Sequence, residues 1–257
     1  MIGAISGDVI GSVHEAAGTK TKEFPLFTPH STFTDDTVLT VAVADALLHD
    51  RSHIEVFHEY VHAYPDAGYG GRFIQWAMTR SHEPYNSWGN GSAMRVSPVA
   101  YAFEPVEEVV KEAEKSAAVT HDHEQGIRGA QATAAAVFLA RTGGDKERIR
   151  HHIESQFGYD LSRRLDDIRT TYGFDVSCQG SVPESIIAFL ESADFEDSLR
   201  NAISLGGDAD TMACIAGAIA EPFYGGVPDR IAGPVLDRLD ARLRETVAEF
   251  RECFDMP

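Results

Sequence analysis

The chain has 257 residues, 43% hydrophobic and 24% charged, enough to bury a sizeable core as a soluble globular protein. A formal net charge of −18 repels a nucleic-acid backbone, and no apolar run reaches the roughly eighteen residues of a membrane span. Three scattered cysteines, Cys178, Cys214 and Cys253, argue for a reducing compartment, the cytoplasm, and against a disulfide framework or zinc site.

The opening "MIGAISGDVIGSVHE" lacks a basic leader and carries Asp8 inside its apolar run, unlike a signal peptide. Asp8 and Glu15 are seven residues apart, a spacing that puts both near one helical face. From Asp36, "DTVLTVAVADALLHD" repeats apolar residues at helical period, as do "HIEVFHEYVHAY", "GRFIQWAMTR" and "SAMRVSPVAYAF", the last broken near Pro98. "PVEEVVKEAEKSAAVTH" starts with Pro105 and acids that suit the helix dipole. "HEQGIRGAQATAAAVFLARTGG" is a small-residue helix. Gly126 and Gly129 inside it each cost about 1 kcal/mol relative to alanine, which predicts close approach of another backbone or a ligand.

"DKERIRHHIES", "DLSRRLDDIRTTY", "VPESIIAFLES", "DFEDSLRNAISLGG" and "DADTMACIAGAIAEPFYGG" continue the helical pattern. Residues 233–254 read as one long amphipathic helix with a stripe through Val235, Leu239, Leu243, Val247 and Phe250. "FDVSC" around Val176 is a weak strand signal, and no βαβ alternation or linker appears. These features predict a single all-α domain over residues 1–257, built from about a dozen helices, of a size that permits a monomer.

Two motifs carry more acid than helix capping requires. Thr34, Asp35 and Asp36 precede one apolar helix; Asp208, Asp210 and Thr211, behind Gly206 and Gly207, precede another. One side chain suffices to cap a helix. If the motifs converge, four carboxylates repel one another unless protonated or bound to cations, and Mg²⁺ or Mn²⁺ suits such oxygen ligands. Glycine turns at Gly68, Tyr69, Gly70 and Gly71, and at Trp88, Gly89, Asn90, Gly91 and Ser92, each lead into a helix, where free amides can receive two phosphates. Neither matches a Walker or Rossmann pattern. Tyr69 and Trp88 can stack on a base, and His121, beside Asp122 and His123, can contact ligand. Chain turns, core aromatics and a surface histidine are the ordinary alternatives for these residues.

In order, "SGDVIGSVHE", "FTDDTVLT", "GYGGRF", "GNGSAMRVSP", "THDHEQGIRGA" and "LGGDADTMACIAGAIAEPFYG" resemble the ADP-ribosylglycohydrolase family, over residues 3 to about 228. The resemblance implies a compact all-α fold and a cleft holding two Mg²⁺ ions (Mn²⁺ being the substitute) on Thr34, Asp35, Asp36, Asp208, Asp210 and Thr211. It further implies that Gly68–71 and Gly89–Ser92 hold the diphosphate of ADP-ribose, that Trp88 stacks on adenine and that His121 contacts ligand. Glu15 or Asp36 would serve as acid/base, with Asp66 a poorer option, while Asp8 supports local structure. The implied reaction cleaves ADP-ribose from a protein side chain such as arginine or serine, or from another acceptor, releasing ADP-ribose; nucleic acid enters only as an ADP-ribosylated substrate. Two alternatives stand beside it. One is a non-catalytic ADP-ribose-binding module. The other is a metal-dependent phosphohydrolase of the HD type, suggested by His121 and Asp122.

Overall fold

The computed structural model describes residues 1–256, and in them the helical periods become fifteen helices. In chain order these are α1 (Ile2–Gly11), α2 (Asp35–Leu48), α3 (His53–Ala63), α4 (Gly71–Met78), α5 (Gly91–Met94), α6 (Val99–Ala102), α7 (Val106–Ala118) and α8 (Glu124–Arg141). They continue as α9 (Lys146–Phe157), α10 (Leu165–Thr171), α11 (Cys178–Leu190), α12 (Phe195–Ile203), α13 (Ala209–Phe223), α14 (Asp229–Leu236) and α15 (Ala241–Cys253). The architecture is all-α, as expected. No described helix is long and apolar enough to cross a membrane.

The hub is α13. Its sequence is apolar or small on every side, and it is buried from Ala209 to Glu221, with α1, α8, α11 and α12 packed around it. The closest partner is α1, because Gly3, Gly7 and Gly11 place a bare backbone against it at every fourth position. A methyl on Gly3 would fall 2.2 Å from the Gly217 carbonyl oxygen, on Gly7 2.0 Å from that of Ala213, and on Gly11 2.5 Å from the Asp210 Cα. This seam brings the end of α1 to the start of α13.

The N-terminus of α2 is fastened to the same place. Buried Asp8 accepts hydrogen bonds from the amides of Thr34 and Thr37 at 2.9 and 3.0 Å, from the Thr34 hydroxyl at 2.7 Å and from the Thr37 hydroxyl. Thr34 in turn accepts from the Asp36 amide at 3.3 Å. Capping of α2 is thus done by Thr34 and by a carboxylate from another helix, and Asp35 and Asp36 are released from that duty.

Four details differ from the sequence expectations. The tail is two helices, α14 and α15, because the Asp240 side chain accepts from the Leu243 amide at 3.0 Å and starts a new helix. The segment around Val176 is no strand; it makes a single bridge between Gly89 and Ser177, since Ser177 caps α11, which begins at Cys178 rather than Val182. In the 160–172 stretch only Leu165–Thr171 is helical. Helix α1 ends at Gly11, so Glu15 lies in the turns beyond it and shares no helical face with Asp8. The glycines of α8 have the close neighbours expected: a methyl on Gly126 would meet the Ser87 carbonyl oxygen at 2.6 Å, and one on Gly129 the Cys178 sulfur at 2.4 Å.

Candidate active site

The N-termini of α2 and α13 and the turns after α1 meet at one end of a cleft of about 490 Å³. Glu15, Thr34, Asp35, Asp36, Asp208, Asp210 and Thr211 all line it. Carboxylate oxygens of Glu15, Asp208 and Asp210 lie within 4.8 Å of one another. The two motifs touch directly, for the Thr211 hydroxyl donates to Asp36 Oδ2 at 3.2 Å. Both motifs occupy the first turn of a helix, where the macrodipole favours anions. That help is incomplete. Burial first, and then the charges of Asp210 and Asp8, push the Asp35 carboxyl up to about 8. Burial and Asp210 push Asp8 up to about 7 and hold Asp36 and Asp208 well above the usual carboxylate range. Glu15 is shifted upward for the same two reasons.

Asp36 is 2% exposed, and its Oδ1 is buried without a hydrogen-bond partner among the described residues. Both threonine hydroxyls point their protons at carboxylates, Thr34 at Asp8 and Thr211 at Asp36, which leaves oxygen lone pairs for another ligand. Crowded carboxylates with raised proton affinity, an orphan buried oxygen and free hydroxyl lone pairs fit a hard divalent cation.

The rest of the cleft is different in kind. Gly68, Gly70 and Gly71 line the cleft; among the described residues, apart from the adjoining backbone, nothing lies within 4 Å of where a side chain on Gly70 or Gly71 would begin, so these positions are open. Gly68 has φ +100°, which admits little but glycine, and it borders Asp35. Trp88, Gly89, Asn90, Gly91 and His121 line the cleft as well. Trp88 is 45% exposed at the mouth. Asn90 ties this turn to the acidic end, its Nδ2 donating to Asp208 Oδ2 at 2.8 Å.

The ADP-ribosylglycohydrolase family model matches residues 1–255. The chain belongs to the ADP-ribosylglycohydrolase family. ADP-ribosylhydrolase ARH3 of Mus musculus is 29% identical over 305 residues, an alignment covering 88% of this chain and 82% of that protein. ADP-ribosylarginine hydrolase Tri1 of Pseudomonas putida (strain GB-1) is 31% identical over 148 residues, covering 53% of this chain and 38% of that protein. A solved structure described as an ADP-ribosylglycohydrolase-related protein complex shares the fold, with a TM-score of 0.69 at 24% identity, covering 98% of this chain and 96% of that one.

Two residues that the sequence places in the cleft lie behind its wall. Tyr69 packs its ring on Phe73, centroids 5.7 Å apart, and Ser92 is fully buried with its hydroxyl donating to the Gly126 carbonyl at 2.7 Å. Both neighbour a glycine whose backbone faces the cleft, so their side chains turn to the core. Asp66 is exposed outside the lining. His121 and Asp122 diverge: His121 is buried at the cleft, while exposed Asp122 accepts from the Asn86 amide at 2.7 Å. That splits the dipeptide an HD-type phosphohydrolase would use. Sequence reasoning missed Arg72, Tyr85, Arg95 and Val176, all in the lining. Val176 was hidden in the weak strand signal; it is held there by hydrogen bonds from the Asn90 amide to its carbonyl and from the Cys178 amide to that of Trp88, at 2.8 and 2.9 Å.

Proposed function

We propose that the protein is a Mg²⁺-dependent hydrolase that cleaves the glycosidic bond between ADP-ribose and an acceptor, a protein side chain such as arginine or serine, and releases ADP-ribose. One observation carries the reading: carboxylates from three separate segments converge at one end of a cleft whose other end is open glycine backbone and a buried histidine. Thr34, Asp35, Asp36, Asp208, Asp210 and Thr211 would hold two Mg²⁺ ions, or Mn²⁺. When bound, these ions supply Lewis-acid polarisation of substrate oxygens and lower the proton affinity of water.

The chain's own residues do the rest. The Gly68–71 and Gly89–Gly91 turns receive the diphosphate, and Trp88 at the mouth stacks on the adenine. Asn90 keeps Asp208 oriented through its amide. Glu15 is the better placed acid/base of the two expected, because it is exposed at the rim where a leaving group must depart, whereas Asp36 sits at the base of the cleft. Its upward shift favours a carboxyl that can donate a proton to that leaving group. Neighbouring carboxylates stabilise positive charge developing on the ribose ring.

The test is release of ADP-ribose from arginine-, serine- and nucleic-acid-linked substrates, each with Mg²⁺ and with EDTA. EDTA-sensitive release from one of them is the expected result. Tight ADP-ribose binding with no release from any substrate would favour the binding-module reading, and production of phosphate or a nucleoside monophosphate would favour a phosphohydrolase.

A further inference from the structure

Arg95 is the largest fully buried side chain among the described residues. Its guanidinium lies over the Phe57 ring, 4.6 Å from the centroid, and its Nη2 donates to the Ser116 carbonyl at 3.1 Å and to the Thr120 hydroxyl at 3.0 Å. Nε and Nη1 are buried without hydrogen-bond partners among the described residues, and the side chain forms part of the cleft wall. The Thr120 hydroxyl, itself fully buried, lies 2.8 Å from His121 Nδ1.

Proton counting orients this chain of contacts. A guanidinium only donates, so Thr120 Oγ1 accepts from Arg95. A buried hydroxyl proton needs an acceptor, and the one acceptor that Thr120 Oγ1 meets among the described hydrogen bonds is His121 Nδ1. The ring proton of a neutral His121 then sits on Nε2. That nitrogen faces the second glycine turn: a methyl on Gly91 would stand 3.3 Å from it and one on Gly89 3.6 Å.

We propose that Arg95 and Thr120 are positioning residues, a relay that locks His121 in the Nε2–H tautomer and so presents a hydrogen-bond donor to a phosphate group lying along Gly89 to Gly91. The nature of the ligand rests on the function proposed above; the tautomer does not. Burial, reinforced by the charges of Arg95 and Arg72, holds His121 well below its ordinary value, so the ring is neutral and the choice of nitrogen matters. With the proton on Nδ1 instead, a bare Nε2 lone pair would face the phosphate and repel it.

The test is nitrogen-15 imidazole spectroscopy of the whole protein, with ADP-ribose affinity measured beside it. Wild type is expected to show a protonated Nε2 and an unprotonated Nδ1 at His121. Thr120→Val should lose that preference and bind ADP-ribose about tenfold more weakly, the scale of one unsatisfied buried donor or acceptor. Thr120→Ser should restore both. A wild-type His121 protonated on Nδ1, or a Thr120→Val protein with unchanged spectrum and affinity, overturns the relay. A wild-type His121 protonated on Nδ1 overturns the relay even if the valine variant does not fold. An Nε2–H preference that is lost in Thr120→Val and restored in Thr120→Ser, in a protein that binds no ADP-ribose, upholds the relay and overturns the proposed ligand instead.

Discussion

The two ends of the cleft solve opposite problems. At the acidic end, Asp35, Asp36, Asp208, Asp210 and Glu15 crowd together, and the strongest influences on Asp35, Asp36 and Asp208 after burial are other carboxylates. At the glycine end the surplus is of donors and positive charge: open backbone at Gly70 and Gly71, the His121 ring, and a buried Arg95 with two nitrogens that have no hydrogen-bond partner among the described residues. Each end alone is destabilising, because buried polar groups without partners cost about 1–3 kcal/mol each and charged ones more. Under the proposed function they would flank a substrate that is anionic at one end and bridged to cations at the other. Unsatisfied polar groups and crowded charges thus lie on both sides of the position a substrate would span under the proposed function.

The largest expected effect comes from removing charge at the acidic end. Asp208→Asn should reduce metal-dependent turnover by about a thousandfold or more while circular dichroism and the melting cooperativity stay those of a folded protein. Full activity in that variant would break the contrast between the ends. Next, Glu15→Gln should lower kcat by about 100-fold, within the range of a lost general acid, and leave ADP-ribose affinity nearly unchanged. A change confined to KM would instead make Glu15 a binding residue.

The acidic end also predicts a pH dependence. Asp8 and Asp35 bind protons more tightly folded than unfolded, so the native state carries more protons between about pH 4 and the folded values of about 7 and 8. In that window stability of the metal-free protein falls as pH rises, by up to about 1.4 kcal/mol per pH unit for each group. Melting in EDTA should therefore drop from pH 5 to pH 8, and Mg²⁺ should raise the melting temperature more at pH 8 than at pH 5. A metal-free protein that gains stability over this range would contradict the crowding.

The smallest effect belongs to the glycine end. Gly91→Ala places a methyl 3.3 Å from His121 Nε2 and should raise KM by about tenfold with little change in kcat or stability. Equal loss in kcat would show that the turn also supports the acidic end.

Much of this was legible in the residues themselves. Helical period marked most of the elements, and two doubled aspartate motifs and two glycine turns marked both ends of the cleft, because local spacing and local chemistry are written in neighbouring positions. Even the seam between α1 and α13 had a signal, glycine at every fourth position from Gly3 to Gly11, although that spacing does not name its partner helix. What tertiary structure alone decided are relations between distant residues. It chose Asp8 to cap α2, so that Asp35 and Asp36 stay free, and it brought Asp210 beside Glu15. It turned Tyr69 and Ser92 into the core and put Arg95, unremarkable in its sequence setting, behind His121. Burial and proton affinity depend on every element packed around a group, and no window of sequence contains them.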